Sequence, residues 1–242
     1  MKIKRKTVII TGASQGIGAG LVEAFLARGY DVVGTARRAT KSRELPASDH
    51  LALVDGDIGQ FETAQKVAEL AVQKFGSIDA VVANAGIFLV KPFTDYTADD
   101  FRALVSTNLA GFVHVTQLAV KQMLAQKTGG SIVSITAALA ANPIGGVTAS
   151  VAMITKGGLE TVIRHLAMEY AKQHIRFNAV APGAVDTPLH ANDPKDSLKS
   201  MAPMGTISTV EDIASAVVYL TEAGQITGEV LHVDGGAHFG KW

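Results

Sequence analysis

The stretch TVIITGASQGIG, residues 7–18, joins a short β-branched run to three glycines at positions 12, 16 and 18. TVII lacks polar alternation, as a strand buried on both faces requires. No proline interrupts residues 13–45, and Ile17, Leu21 and Phe25 recur at helical spacing. The predicted unit is strand, glycine-rich turn, helix. In such a unit Gly12 permits the tight turn, Gly16 lets an anion approach the backbone, and Gly18 lets the helix lie against the sheet. A glycine-rich turn alone is equally a plain strand-to-helix connection. Its place after the first of a series of strands favours the nucleotide reading.

The series continues with DVVG (31–34), LALV (51–54), AVVA (80–83), SIVSI (131–135), RFNAV (176–180) and VLHV (230–233), separated by stretches of helical spacing such as Leu166 and Tyr170. Strand and helix in alternation predict an α/β fold with an open parallel sheet of seven strands, flanked by helices on both faces. No linker, repeat or low-complexity tract divides the chain, so residues 1–242 are expected to form a single domain. Ligands of such sheets bind beyond the carboxyl ends of the strands, near the point where strand order reverses.

Composition narrows the function classes. The net charge of zero gives no reason to expect nucleic acid or an anionic membrane as partner. The KIKRK cluster at residues 2–6 reads as a solvated lead-in to the first strand. The chain has no cysteine, which excludes disulfides, thiolate metal sites and cysteine nucleophiles. Residues 128–155 carry no Asp, Glu, Lys or Arg, yet Gly129-Gly130, Asn142-Pro143 and Gly145-Gly146 break the run into pieces too short to span a bilayer. No secretory signal is evident, and cytoplasm is the default location.

The G-x-x-x-G-x-G spacing resembles the short-chain dehydrogenase/reductase family. So do ANAG (83–86), STNLAGF (106–112), SIVSIT (131–136), a helical lysine at 156, NAVAPGAVDTP (178–188) and TGEVLHVDGG (227–236). The resemblance runs the length of the chain and implies a Rossmann-type, doubly wound domain that binds a nicotinamide dinucleotide. By position it implies a cofactor path along Gly12, Ser14, Gln15, Gly16, Ile17 and Gly18, then Asn84, Ala85 and Gly86. Asp57 and Ile58 would meet the adenine, Val185 and Thr187 the nicotinamide amide, with Pro182 and Gly183 before them. Each of these also suits an ordinary turn or strand end; Asp57, for one, suits a helix cap.

A carboxylate at the end of the second strand would accept hydrogen bonds from a ribose 2′-OH and repel a 2′-phosphate. Here Ala36 stands in that place, followed by Arg37 and Arg38. Guanidinium forks match phosphate oxygens, so NADP(H) is expected, with NAD(H) as the alternative. ARRATKSR also reads as a solvated basic loop, and Gln15 stands where many NADP-preferring relatives carry a basic residue.

The family's proton donor is a tyrosine four residues before the lysine, assisted by a serine after the fifth strand, with an asparagine that holds a relay water. Lys156 and Asn108 match their positions. Four residues before Lys156 stands Ala152, and Thr136 is the hydroxyl left after SIVSI. Asn108, Lys156 and Thr136 are therefore the candidate catalytic residues. Lys156 is expected against the cofactor ribose, or else reaching solvent past Gly157-Gly158. General acid catalysis is worth about 10²- to 10⁴-fold, so a chain without the phenol would favour carbonyl, imine or quinone-type substrates needing little protonation. Its proton would come from water near Lys156 or from Thr136, Ser150 or His190. The competing reading is a sensor or scaffold that binds NADP(H) without turnover.

Phe88, Ala138, Asn142, Ile144, Val147, Ala152 and His190 are expected to line the substrate pocket, under a lid at about residues 187–207. The partner is a small-molecule substrate. No histidine or carboxylate cluster has metal-ligand spacing, so no metal is expected. The helices holding Asn108 and Lys156 resemble those of family homodimers and homotetramers. Phe112, Val115, Leu118 and Leu166 suit such an interface or an intramolecular core equally.

Overall fold

A computed structural model describes residues 5–240. Lys2–Lys4 of the basic lead-in lie outside them. Seven strands form one sheet: β1 Thr7–Thr11, β2 Asp31–Ala36, β3 Leu51–Asp55, β4 Ala80–Ala83, β5 Gly130–Ile135, β6 Ile175–Pro182 and β7 Val230–Val233. Their order is β3-β2-β1-β4-β5-β6-β7, and every neighbouring pair is parallel. All seven expected strands are present, and only their ends shift by one or two residues.

The helices are α1 Gly16–Ala27, α2 Phe61–Phe75, α3 Ala98–Leu104, α4 Gly111–Gln126, α5 Ser150–Glu169, α6 Lys195–Lys199 and α7 Val210–Glu222. They explain why the strand sequences do not alternate. On one face Ile9, Val33, Val81, Ile132 and Phe177 pack against α2, α4 and α5. On the other Val8, Ile10, Val32, Val82 and Val133 pack against α1 and α7. Both faces of each central strand are therefore dry, and both sets of side chains must be apolar.

α3 and α4 are continuous through a π-helical turn, Val105–Ala110. The joined helix, Ala98–Gln126, has the length and apolarity to cross a membrane. Here Phe112, Val115, Ala119, Val120 and Met123 fill the core beside the sheet. That arrangement assigns the two innermost of the apolar residues on these helices to the core. Phe112 and Val115 are buried inside the chain, whereas Leu118 and Leu166 pack against the same cluster with part of their surface exposed.

Strand order reverses between β1 and β4, because the chain winds outward from β1 through β2 to β3 and then crosses back. The crevice so formed is laced by one hydroxyl and one amide. Thr11 Oγ1 accepts the N–H groups of Asn84 (3.1 Å) and Ala85 (3.0 Å). Asn84 Nδ2 donates to the carbonyls of Thr11 (3.0 Å) and Gly12 (3.2 Å). A buried N–H left without an acceptor costs about 1–3 kcal/mol. Thr11→Val, isosteric but without the hydroxyl, should therefore lose roughly 2 kcal/mol or more in urea unfolding. Thr11→Ser, which keeps the acceptor, should stay within about 1 kcal/mol of the parent.

Candidate active site

The residues expected to bind cofactor gather at the carboxyl edge of the sheet. Gly12 and Gly16 both have positive φ, +67° and +55°. A Cβ on Gly12 would stand 2.9 Å from Ala85 Cα, and one on Gly18 would stand 1.9 Å from the Gly12 carbonyl oxygen. Gly12 and Gly18 thus permit turn and helix to close on each other. A Cβ on Gly16 would meet the Thr187 side chain at 3.3 Å, so the glycine-rich turn and the segment after β6 form facing walls. Ser14 and Ile17 are half-buried in the first wall and Gln15 is exposed. Arg37 and Arg38 are exposed immediately after β2.

Asp57 accepts from the Gly59 N–H (2.9 Å) in a short turn, while Ile58 is buried beneath it. The next helix is capped at Gln60, so Asp57 caps a turn rather than α2. Pro182 ends β6. A Cβ on Gly183 would come within 2.9 Å of Asp234. Val185 is buried and bridges Ser208, and Thr187 Oγ1 donates to the Val185 carbonyl at 3.4 Å.

Lys156 is only 7% exposed, on the inner face of α5. Its ammonium donates to the Ile135 carbonyl at the end of β5, at 2.7 Å. This overturns the reading in which the side chain reaches solvent past Gly157-Gly158. Burial pulls its pKa down from 10.5 to about 8. A Cβ on Gly86 would stand 3.1 Å from Nζ and 3.3 Å from Asn108 Oδ1. Glycine at 86 therefore keeps the space in front of the ammonium open.

Asn108 projects from the π-helical turn and is 2% exposed. Insertions of this kind re-aim a side chain and recur at functional sites. Its Oδ1 accepts the Ile87 N–H (2.8 Å). Its Nδ2 donates to the Ile87 carbonyl (3.1 Å) and to Thr155 Oγ1 (2.9 Å). Both amide donors are thus held by protein, which leaves only the oxygen's second lone pair for the relay water the resemblance implies. Thr155 in turn donates to the Ala152 carbonyl at 2.8 Å. Residue types and spacing did not single out Thr155 or the Ile135 carbonyl. Thr155 adjoins Lys156 in sequence, but a backbone acceptor leaves no sequence signal.

Thr136 is buried at the end of β5, with Oγ1 on the Val180 carbonyl at 3.3 Å. Ala152 is fully buried beside Leu104 and Val151, and Phe88 and Tyr96 pack on this cluster. Tyr96 thus comes nearer to Ala152 than its sequence position suggests, but its hydroxyl donates to the Leu89 carbonyl.

Asn142, Ile144 and Val147 are half-buried on the loop after β5, with Ala138 buried at its start. The Lys91 N–H donates to the Thr148 carbonyl (2.8 Å) and ties this loop to the one after β4. The His190 ring pairs with Asp193 at 2.7 Å, and Ser150 is exposed at the start of α5. Within the expected lid, residues 195–199 form α6, and the Met204 N–H donates to the Gly235 carbonyl (3.1 Å). A cavity of about 460 Å³ lies at the opposite edge of the sheet. Tyr30, Asp79, Ser131 and Arg176 help to line it, and it includes none of the expected site residues.

Comparison with known proteins agrees with this geometry. Residues 12–238 match the family model described as enoyl-(acyl carrier protein) reductase. The chain belongs to the short-chain dehydrogenase/reductase family. It is 32% identical to 3beta-hydroxysteroid dehydrogenase 1 of Eggerthella lenta, over 97% of this chain and 94% of that one. Among solved structures it is similar to the 3-ketoacyl-(acyl-carrier-protein) reductase of Brucella melitensis complexed with NADH. That match has a TM-score of 0.90 and 29% identity, and covers 96% of this chain and 98% of the other. It is also similar to a tyrosine-to-phenylalanine variant of ElxO with NADPH bound, at TM-score 0.88 and 30% identity over 96% and 98% of the two chains. Relatives in this family are oxidoreductases, and these two structural neighbours hold NADH and NADPH.

The glycine cradle and the open face at Gly86, beside Lys156 and Asn108, fit a nicotinamide dinucleotide, which these residues would hold. The buried ammonium has a signature independent of any ligand. Above pH 8 the folded chain releases the Lys156 proton, while the unfolded chain keeps it up to about 10.5. Between these values the unfolded state binds more protons, so stability rises with pH. Relative to Lys156→Met, the parent should therefore gain about 3 kcal/mol between pH 8 and 10.5 and nothing further above it. Paired denaturant titrations across that window measure the difference.

Proposed function

We propose that the protein is an NADP(H)-dependent oxidoreductase acting on a small carbonyl, imine or quinone-type substrate, with its proton supplied from the Lys156 side of the site rather than from a phenol. The observation that carries this reading is the pairing of an enclosed Lys156 ammonium with Ala152 one turn before it. When bound, the nicotinamide supplies or accepts a hydride. The chain's own residues then have to bind, orient and exchange a proton.

Lys156 uses one of its three donors on the Ile135 carbonyl. Two remain for ribose hydroxyls, a water or the substrate. With its pKa lowered to about 8, the ammonium is charged at neutral pH yet close enough to that pH to release a proton to a bound water. Thr155 fixes Asn108, and the Asn108 oxygen can hold such a water beside Nζ. Thr136 supports this arrangement from β5 but is a weaker donor candidate, because its hydroxyl is engaged by the Val180 carbonyl. Phe88, Ile144 and Val147 suit an apolar substrate, and His190 belongs to the lid wall with Asp193.

Arg37 and Arg38, with Ala36 in place of an acid, favour NADP(H) over NAD(H). Replacing both arginines by alanine should weaken NADPH binding by roughly tenfold or more and NADH binding by less than about threefold, as measured by calorimetry. Assembly into a homodimer or homotetramer is part of the same reading. It is supported by exposed Val113 and Leu124 on α4 and exposed Ile154 and Met168 on α5.

Purified protein should oxidise NADPH with imines, quinones and activated ketones, followed by nicotinamide absorbance. Ala152→Tyr should raise turnover of unactivated ketones by about 10²-fold or more while changing quinone turnover little. Tight NADPH binding with no turnover of any substrate would instead favour the sensor or scaffold reading.

A further inference from the structure

The helix whose N-terminus faces the cofactor cradle has no cap of its own. Gln15, at its start, makes no capping bond, and the first turn holds no acid. A carboxylate arrives from elsewhere: Glu44 Oε2 accepts the Gly16 N–H at 3.1 Å, from 28 residues along the chain. Ser42 fastens the loop that delivers it, with Oγ donating to the Ser14 carbonyl at 2.6 Å and accepting the Glu44 N–H at 3.2 Å. Farther back, Thr40 holds the same loop to Asp55 through its N–H (2.8 Å) and its hydroxyl (2.6 Å). Glu44 makes no ion pair among the described residues, although Lys41 and Arg43 flank it. Glu44 is exposed, so the helix end shares its charge with water.

We propose that Glu44 is an internal anion standing in the dinucleotide's place, and that it lowers the affinity for NADP(H) more than that for NAD(H). This rests on the cofactor reading above. Two physical effects act together. An anion docking on the glycine-rich turn competes with the carboxylate for the Gly16 N–H and the positive end of α1. The carboxylate also repels phosphate groups, and NADP(H) brings one more than NAD(H) to a loop where Arg37 and Arg38 attract it. Glu44 thus sets how far the two arginines prevail.

The test is calorimetric titration of NADPH and NADH into the full chain and into Glu44→Gln and Glu44→Ala, with thermal unfolding of each protein free of nucleotide. Glutamine keeps an acceptor for Gly16 and removes only the charge. Glu44→Gln is expected to bind NADPH roughly five- to tenfold tighter and NADH less than about threefold tighter, with the gain shrinking in about 0.5 M salt. The nucleotide-free variant should melt slightly lower, because α1 loses its counter-charge. Lower melting with tighter binding separates this role from a purely structural one, which would weaken both. Unchanged or weaker binding of NADPH by both variants, with the parent binding normally, overturns the proposal. Binding by Glu44→Ala alone, where the parent binds neither nucleotide, supports it in its strongest form. If neither nucleotide binds to any of the three proteins, the cofactor reading itself falls.

Discussion

An ammonium group enclosed at the edge of a parallel sheet has to be solvated by the protein, and the hydrogen bond from Lys156 to the Ile135 carbonyl does this only in part. One neutral acceptor cannot replace the hydration of a cation, which is why burial alone lowers the pKa to about 8. The geometry around it is a consequence of that constraint. Gly86 withholds a side chain that would crowd Nζ, and the π-helical turn brings Asn108 to the same space. Thr155, on the preceding residue of α5, takes up the second Asn108 donor. Every group about the ammonium is fixed by a partner, yet two of its own donors are left over. Those two donors are the groups this site has to offer a polar ligand.

The ligand's place is fixed by topology rather than by any single residue. Reversal of strand order between β1 and β4 splays the chain at that edge, and the splayed ends would leave backbone groups unpaired. The Thr11 hydroxyl and the Asn84 amide satisfy them across the gap. The same lacing holds Gly12 against Ala85 too tightly for any side chain, so the bonds that stabilise the crevice also shape its floor. Stability of the sheet and competence of the cradle are therefore coupled at these few residues.

The fold was legible because its central strands are buried on both faces, which writes uninterrupted apolar runs into the sequence. TVII, AVVA and VLHV lie in strands at the expected places, and Gly12 and Gly18 permit the tight turn and the close helix approach that their spacing implies. Less legible was anything mediated by backbone or by chain reversal. The Ile135 carbonyl has no residue signature, and nothing near Glu44 in sequence links it to Gly16. The amphipathic pattern of Phe112, Val115, Leu118 and Leu166 could not distinguish a subunit interface from the core, since both are dry. Packing against the sheet decides for the core at Phe112 and Val115. Lys156 was ambiguous for a similar reason, because a lysine stem suits both an enclosed site and a route to solvent.

The Ala152 methyl one turn before Lys156 and the lowered pKa of the lysine are two sides of one physical fact. An adjacent phenolate would stabilise the ammonium and hold its pKa up. Around Lys156 the side chain one turn earlier is the Ala152 methyl, packed among Leu104 and Val151, and desolvation is the one cause acting on the lysine. With no negative neighbour among the described residues to offset burial, the ammonium gives up its proton more easily than a solvated lysine does. An apolar residue one turn before the lysine therefore acts on the ammonium as well as on the space beside it.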